Sequence, residues 1–181
     1  FLRAKNRGRM KFYLMWANHD AMTLWDKRNS HDTETVVWDG GVNRAEFERA
    51  MSRVIEKYFT QPNYYTIDGK PVFMIYDVPN FVSGLGGFDA ARDAVRWFRE
   101  ACVKAGLPGL HLQFTMWSEQ AMNLSGCDNG KDVPASAFNT IGFDSCSHYQ
   151  YVHFTDVDRD YAEILPDLQK EYDKLDRTLP F

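Results

Sequence analysis

Short apolar segments that end in polar clusters recur along this chain, and helix-like segments separate them. Residues 12–16, Phe-Tyr-Leu-Met-Trp, form an unbroken apolar run, which is typical of a strand buried on both faces. Residues 71–76 form a second buried strand candidate, residues 110–117 a third that alternates in part, and residues 141–147 a fourth that is more polar. The alternation of strands and helices predicts a parallel sheet with right-handed crossovers.

The segments between these strands carry their own start signals. Asn43 with Glu46 three residues later has the pattern of a helix N-cap and its capping-box partner. The turn dipeptide Asp68-Gly69 predicts a small hairpin that leads into the strand at 71–76. Residues 20–41 have the composition of a loop, and so do residues 123–135.

Two further helices are predicted in the second half of the chain. Asp89 is expected to cap the first, and Gly106 followed by Pro108 ends it. The second has apolar residues at helical spacing over 161–175, although Pro166 should kink the helix or restart it.

Two architectures fit this order of elements, an open doubly wound sheet and an arc of a (β/α)8 TIM barrel. Both place function at the carboxyl ends of the parallel strands. The 181 residues show no domain boundary, repeat or low-complexity tract, so we expect a single α/β domain over residues 1–181. Because a (β/α)8 barrel needs about 250 residues and four strands already occupy this chain, we expect the central strands of a barrel only.

Composition and motifs exclude several classes of function. A net charge of −4, from 21 basic and 25 acidic residues, gives no electrostatic reason to bind nucleic acid. No run approaches the roughly 18 apolar residues of a membrane span. Residues 84–87, Gly-Leu-Gly-Gly, lack the rest of a nucleotide-binding motif, and neither the histidines nor the three cysteines have metal-ligand spacing. We therefore expect no cofactor and no metal.

Aromatic and hydrogen-bonding side chains recur at the four predicted strand ends. This pairing suits a carbohydrate, because sugar rings stack on aromatic faces while their hydroxyls need donors and acceptors. Trp16 and Trp117 could instead fill the core, and Asn18 and Asp77 could cap the next helix or turn. The candidate substrate-binding residues are Trp16, Asn18, His19, Tyr76, Asp77, Trp117, Tyr149 and Tyr151.

Carboxylates at the strand ends are the candidates for catalysis. Glycoside hydrolysis usually needs two of them some 5 to 10 Å apart. Asp20, Asp77 and Glu119 lie at suitable positions, but nothing in their spacing identifies a pair. The catalytic residues are therefore unassigned, with Asp77 and Glu119 as candidates.

Two motifs give the chain a family resemblance. Residues 11–18, Lys-Phe-Tyr-Leu-Met-Trp-Ala-Asn, and residues 64–76, whose centre is Ile-Asp-Gly-Lys-Pro-Val-Phe, resemble the WbsX-like family, whose domain is similar to glycoside hydrolase family 99. The resemblance implies a (β/α)8 barrel that acts on α-mannosides. It carries over Trp16, Asn18 and Tyr76, whereas Glu119, Tyr149 and Tyr151 are inferred from position.

The resemblance leaves the reaction open. WbsX relatives are often labelled glycosyltransferases of surface polysaccharide synthesis, and the acidic Trp-Asn-Glu motif of family 99 is missing from this chain. The main expectation is a glycoside hydrolase acting on an oligosaccharide or polysaccharide, with catalytic carboxylates elsewhere in the protein. A glycosyltransferase and a non-catalytic carbohydrate-binding module are the alternatives. We expect a periplasmic or cell-envelope location. Oligomeric state does not follow from the sequence.

Overall fold

The computed structural model describes residues 2–25, 28, 31, 34–116 and 140–176, and for residues 25 and 174–176 it describes the backbone alone. The sequence-predicted site residues Trp117 and Glu119 lie outside these residues. The strands are β1 (Leu14–Trp16), β2 (Ala21–Met22), β3 (Val36–Trp38), β4 (Thr66–Ile67), β5 (Lys70–Ile75), β6 (His111–Met116) and β7 (Ser145–His148). The helices are α1 (Arg44–Val54), continued by a π-helical turn (Ile55–Phe59), α2 (Val78–Gly84), α3 (Phe88–Lys104) and α4 (Tyr161–Asp176).

The central sheet is mostly parallel. Strands β1, β5, β6 and β7 lie side by side in that order, and each neighbouring pair is parallel. The hairpin strand β4 pairs antiparallel with the start of β5. The prediction of an α/β fold with a mostly parallel sheet, and of the hairpin at Asp68-Gly69, is therefore confirmed.

One face of this sheet packs against the helices. The register aligns Ile75 of β5 with Phe114 of β6, and Phe114 with Cys146 of β7, so these side chains share a face. They belong to the main core together with Phe47 of α1 and Phe98 of α3. Helices α1 and α3 thus bury the apolar side chains of this one face.

The opposite face is more polar. Met74 of β5, Gln113 and Thr115 of β6 and Ser145 of β7 alternate with the core residues. The Thr115 hydroxyl donates to Met74 Sδ at 3.0 Å, and Gln113 Nε2 donates to Ser145 Oγ at 3.1 Å. Met15, on the same face, is 41% exposed. Hydrogen bonds between strands thus satisfy the polar groups that this face carries.

The helix boundaries follow the sequence in part. Asn43 caps α1, since its side chain accepts a hydrogen bond from Glu46 N at 3.0 Å, as predicted. The predicted cap at Asp89 is wrong, because α3 begins at Phe88 and Gly87, with a φ of 116°, takes the N-cap position. Asp89 lies in the first turn, where its charge still suits the helix dipole. Helix α4 runs through Pro166 rather than restarting there.

Two other predictions of local structure need correction. The loop expected over residues 20–41 contains the antiparallel strands β2 and β3, in which Ala21 pairs with Trp38. The fourth parallel strand begins at Ser145 and not at residue 141. Just before this strand, Asp144 N donates to the Leu112 carbonyl at 2.8 Å, while Leu112 N donates to the Asp144 carboxylate at 2.7 Å and not to a carbonyl of the neighbouring strand.

Candidate functional site

The carboxyl ends of β1, β5 and β7 meet at one edge of the sheet, because the strands are parallel. The segments that leave these ends carry most of the sequence-predicted site residues. Residues 17–20 follow β1, residues 76–80 follow β5 and residues 149–153 follow β7. This edge is the candidate site.

The Asn18 side chain links the carboxyl ends of β1 and β5 by hydrogen bonds. It is 1% exposed, its Nδ2 donates to the Asp77 carbonyl at 2.6 Å, and its Oδ1 accepts from Asp77 N at 2.8 Å. These bonds extend the pairing of β1 and β5 beyond the Tyr76 N to Trp16 O bond of 3.1 Å. Both polar atoms of the Asn18 amide thus bond to the Asp77 backbone, and the buried side chain holds the ends of β1 and β5 together.

Asp77 is the N-cap of α2. Its Oδ1 accepts from Asn80 N at 2.9 Å, which is the capping role that the sequence left open. Asn80 Nδ2 in turn donates to Asp20 Oδ1 at 3.1 Å, and Gly40 N donates to the same oxygen at 2.8 Å. One asparagine therefore links the two carboxylates, and both are held by N–H donors.

Burial raises the pKa of the Asp77 carboxyl, and the nearby charge of Asp20 adds to the effect. The hydrogen bond from Asn80 N acts in the opposite direction because it stabilises the ionised form. Asp77 therefore holds a proton more strongly than an ordinary aspartate does.

Trp16 is partly buried beneath this edge. Its ring contacts Phe47 and Phe81 at centroid distances of 6.0 and 6.4 Å, and it packs against the main core. The structure thus places Trp16 among core side chains, the other role that the sequence left open.

A row of aromatic rings crosses the strand ends above. His19 contacts Tyr76 at 5.3 Å, Tyr76 contacts Tyr149 at 5.0 Å, and Tyr149 stacks on His153 at 6.3 Å between ring centroids. His19 Nδ1 lies 2.9 Å from the Asp20 carbonyl oxygen. Burial raises the pKa of Tyr76, and Tyr149 and Asp77 contribute to the shift. The structure thus brings His19, Tyr76, Asp77 and Tyr149 together, with His153 as a member that sequence reasoning did not assign to the site.

Tyr151 lies beyond this row, in a pocket of about 520 Å³ at the end of β7 that Tyr149 also lines. A hydrogen bond joins the Tyr151 and Tyr172 side chains, and it is the main cause of a raised pKa at Tyr172. The two tyrosines predicted on position alone therefore share one pocket.

Trp38 is a further aromatic residue that sequence reasoning missed. It is 75% exposed at the end of β3, two residues before Gly40. A Cβ at Gly40 would lie 2.4 Å from the His19 carbonyl carbon, so β3 passes directly beside the segment that follows β1. The β-branched run Val36-Val37 before Trp38 is the signal that could have identified this strand.

Among the described residues, no group of three or more His, Cys, Asp or Glu side chains is placed to hold a metal ion. None of the helices in the described part of the chain has the length and hydrophobicity needed to cross a membrane.

Comparison with known proteins gives one match. The family model described as "Glycosyltransferase WbsX" matches residues 2–178, nearly the whole chain. Neither a curated protein nor a solved structure matches. The match identifies a carbohydrate-active protein, and it concerns the WbsX family rather than glycoside hydrolase family 99. The expectation of a glycoside hydrolase is wrong, because the family is described as a glycosyltransferase. The WbsX-like resemblance of the two sequence motifs is confirmed, and the chain belongs to the glycosyltransferase WbsX family.

Proposed function

We propose that this chain forms the central strands of a (β/α)8 barrel. Two observations support this. Strands β1, β5, β6 and β7 neighbour one another in chain order, without the reversal that defines a doubly wound sheet. The core helices α1 and α3 pack on the same face of the sheet, as the outer helices of a barrel do, whereas a doubly wound sheet has helices on both faces.

We propose further that the protein is a glycosyltransferase of surface polysaccharide synthesis, and that the strand-end edge is its substrate site. Membership of the WbsX family supports the reaction class. The observation that supports the site is a pair of aromatic rings beside a partly buried carboxylate: Tyr76 contacts Tyr149 at 5.0 Å between ring centroids, and the charge of Asp77 acts on Tyr76. Rings offer faces for sugar stacking, and a carboxylate offers a hydrogen-bond acceptor.

In the proposed reaction, an acceptor hydroxyl oxygen bonds to the anomeric carbon of an activated sugar while the bond from that carbon to the leaving group breaks. The acceptor proton must pass to a base. Asp77 suits this role because burial raises its pKa, which strengthens it as a base once it is ionised. Glu119, at the predicted end of β6, is the other candidate.

The leaving group needs hydrogen-bond donors. In the described strand-end segments 17–20, 76–80 and 149–153 the ionisable nitrogen donors are His19 and His153, at the two ends of the ring row. We propose that the His19 ring contacts the leaving group, because His19 lies beside Tyr76, whereas His153 lies on the far side of Tyr149. We also propose that the protein acts in the periplasm or cell envelope. Cell fractionation would test this location.

The test is transfer of a labelled sugar by the full protein from nucleotide-sugar donors to polysaccharide fragments, with products identified by mass spectrometry. Asp77→Asn should lower kcat about 100-fold or more, since a general base contributes about 10²- to 10⁴-fold. Asparagine is as good an N-cap as aspartate, so α2 is retained.

Asp89→Asn is the matched control, because this carboxylate is exposed in the first turn of α3, and its activity should not change. Sugar binding without transfer would contradict the proposal and favour a binding module. Full activity in Asp77→Asn would exclude Asp77 as the base.

A further inference from the structure

The pocket at the end of β7 differs in character from the acidic part of the strand-end edge. Val152 and Val157 contribute exposed apolar surface to it, and Tyr149 and Tyr151 contribute ring faces. Its volume of about 520 Å³ lies within the range of about 300 to 1,000 Å³ that is usual for small-molecule sites. The pocket is therefore large enough for a sugar unit and lined by the surfaces on which a sugar packs.

Among the described residues, the lining of this pocket contains no carboxylate, lysine or arginine. It consists of Ser147, His148, Tyr149, Gln150, Tyr151, Val152, Val157 and Tyr172. The His148 side chain is only 6% exposed, and its Nδ1 lies 3.1 Å from the Met116 carbonyl oxygen. Binding a phosphate or a uronate here would take a negative charge out of water without a lysine or arginine among the described lining residues, and the one ionisable nitrogen side chain there, His148, already lies 3.8 Å from Glu171 Oε1. Uncharged ligands are favoured on this ground.

The pocket lies next to the proposed reaction centre, and Tyr149 is the residue that connects them. Tyr149 lines the pocket and contacts Tyr76, and Asp77 is the next residue along the chain. A sugar stacked on Tyr149 would lie on the β7 side of this contact, with its hydroxyls toward the carboxylate. The amide of Gln150 supplies both a donor and an acceptor for the hydroxyls of such a ring.

We propose that this pocket binds a neutral pyranose unit of the acceptor glycan, an assignment that rests on the proposed transferase function. The charged part of the donor binds elsewhere at the strand ends. The acceptor enters from the β7 side, and its reacting hydroxyl extends past Tyr76 to Asp77.

The experiment uses the full protein on an array of neutral and uronate-containing oligosaccharides. A neutral glycan retained on the array is then titrated by calorimetry, with UDP as the phosphate-bearing probe. Tyr149→Ala and Tyr151→Ala should each weaken glycan binding about tenfold, which corresponds to about 1.4 kcal/mol. Tyr149→Phe, which keeps the ring, should weaken it by less than about threefold.

Tyr65→Ala is the matched control, because Tyr65 has a similar exposure, 39% against 45% for Tyr149, and lies at the amino-terminal end of β5. UDP affinity should be unchanged in Tyr149→Ala. The proposal is overturned if no neutral glycan is retained, if Tyr149→Ala binds glycan like the wild type, or if UDP competes with the glycan for the pocket.

The two proposals can fail separately. Glycosyl transfer with glycan binding that ignores both tyrosine substitutions would refute the pocket and leave the transferase standing. Tyrosine-dependent binding of a neutral glycan without any transfer would support a sugar pocket and refute the transferase.

Discussion

Replacing Asn18 with alanine should destabilise the protein rather than act on the substrate alone. The Asn18 side chain is almost fully buried and bonds both the N–H and the carbonyl of Asp77. Alanine lacks both the amide donor and the amide acceptor of Asn18, so both hydrogen bonds are lost at once. The Asp77 backbone groups would then be left without these hydrogen bonds at the point where β5 passes into α2.

The size of the effect follows from these two bonds. Leaving one buried backbone group unsatisfied costs about 1–3 kcal/mol, so the two together should lower the free energy of unfolding by about 2–6 kcal/mol. This is a large part of the roughly 5–15 kcal/mol that stabilises a typical domain.

Urea titration followed by circular dichroism measures this change, because a shift of the midpoint at constant slope reports stability. Asn6→Ala is the matched control, since Asn6 is exposed and makes no capping hydrogen bond, and its stability should stay within about 0.5 kcal/mol of the wild type. If Asn18→Ala were as stable as Asn6→Ala but no longer bound glycan, Asn18 would contact sugar and the structural role given to it here would be refuted.

Three other predictions concern stability and binding. Arg99 donates to the carbonyls of Leu110 and Gly142 and to the Asp144 carboxylate, so Arg99→Ala should lower the free energy of unfolding by about 2–4 kcal/mol in urea, and Arg99→Lys, without the planar fork, should recover little of it. Trp38→Ala should change stability by no more than about 0.5 kcal/mol because the ring is exposed, while weakening the binding of extended glycans in calorimetry; normal affinity would exclude a glycan contact there. Burial raises the pKa of the Asp77 carboxyl in the folded protein above its ordinary value of 3.8, so the folded state binds this proton more tightly than the unfolded state does. The stabilisation that results is complete at low pH and is lost as the pH rises through the raised pKa. Asp77→Asn should therefore gain stability relative to the wild type as the pH rises above about 4, and a constant difference in urea midpoints would contradict this.

Much of the fold could be predicted from local patterns. The structure contains the predicted strands β1, β5 and β6, the Asn43 cap and the hairpin at Asp68-Gly69. Each of these features depends on residues that are only a few positions apart in the chain. The strands β2 and β3 were missed because each is short and its pairing is set by a segment more than ten residues away.

The candidate site was predictable as a location but not as a set of roles. Parallel strands bring their carboxyl ends to one edge, so His19, Tyr76 and Tyr149 could be grouped before any coordinates were known. Their order in a row of rings, and the inclusion of His153, depend on how the loops bend. Whether an aromatic or an asparagine faces solvent or the interior is not encoded in local spacing.

The sequence by itself determined the α/β class, the parallel strands, the edge at which polar and aromatic side chains gather and, through two motifs, the family. The tertiary structure adds that the Asn18 side chain is buried and Trp16 packs against the core. It also shows that Tyr149 and Tyr151 line one pocket, whose described lining residues include no carboxylate, lysine or arginine. The physical reason is that periodicity and capping are properties of adjacent residues, whereas burial and hydrogen-bond partners are set by segments far apart in the chain. The Asn18 to Asp77 pair, 59 residues apart, shows that difference directly.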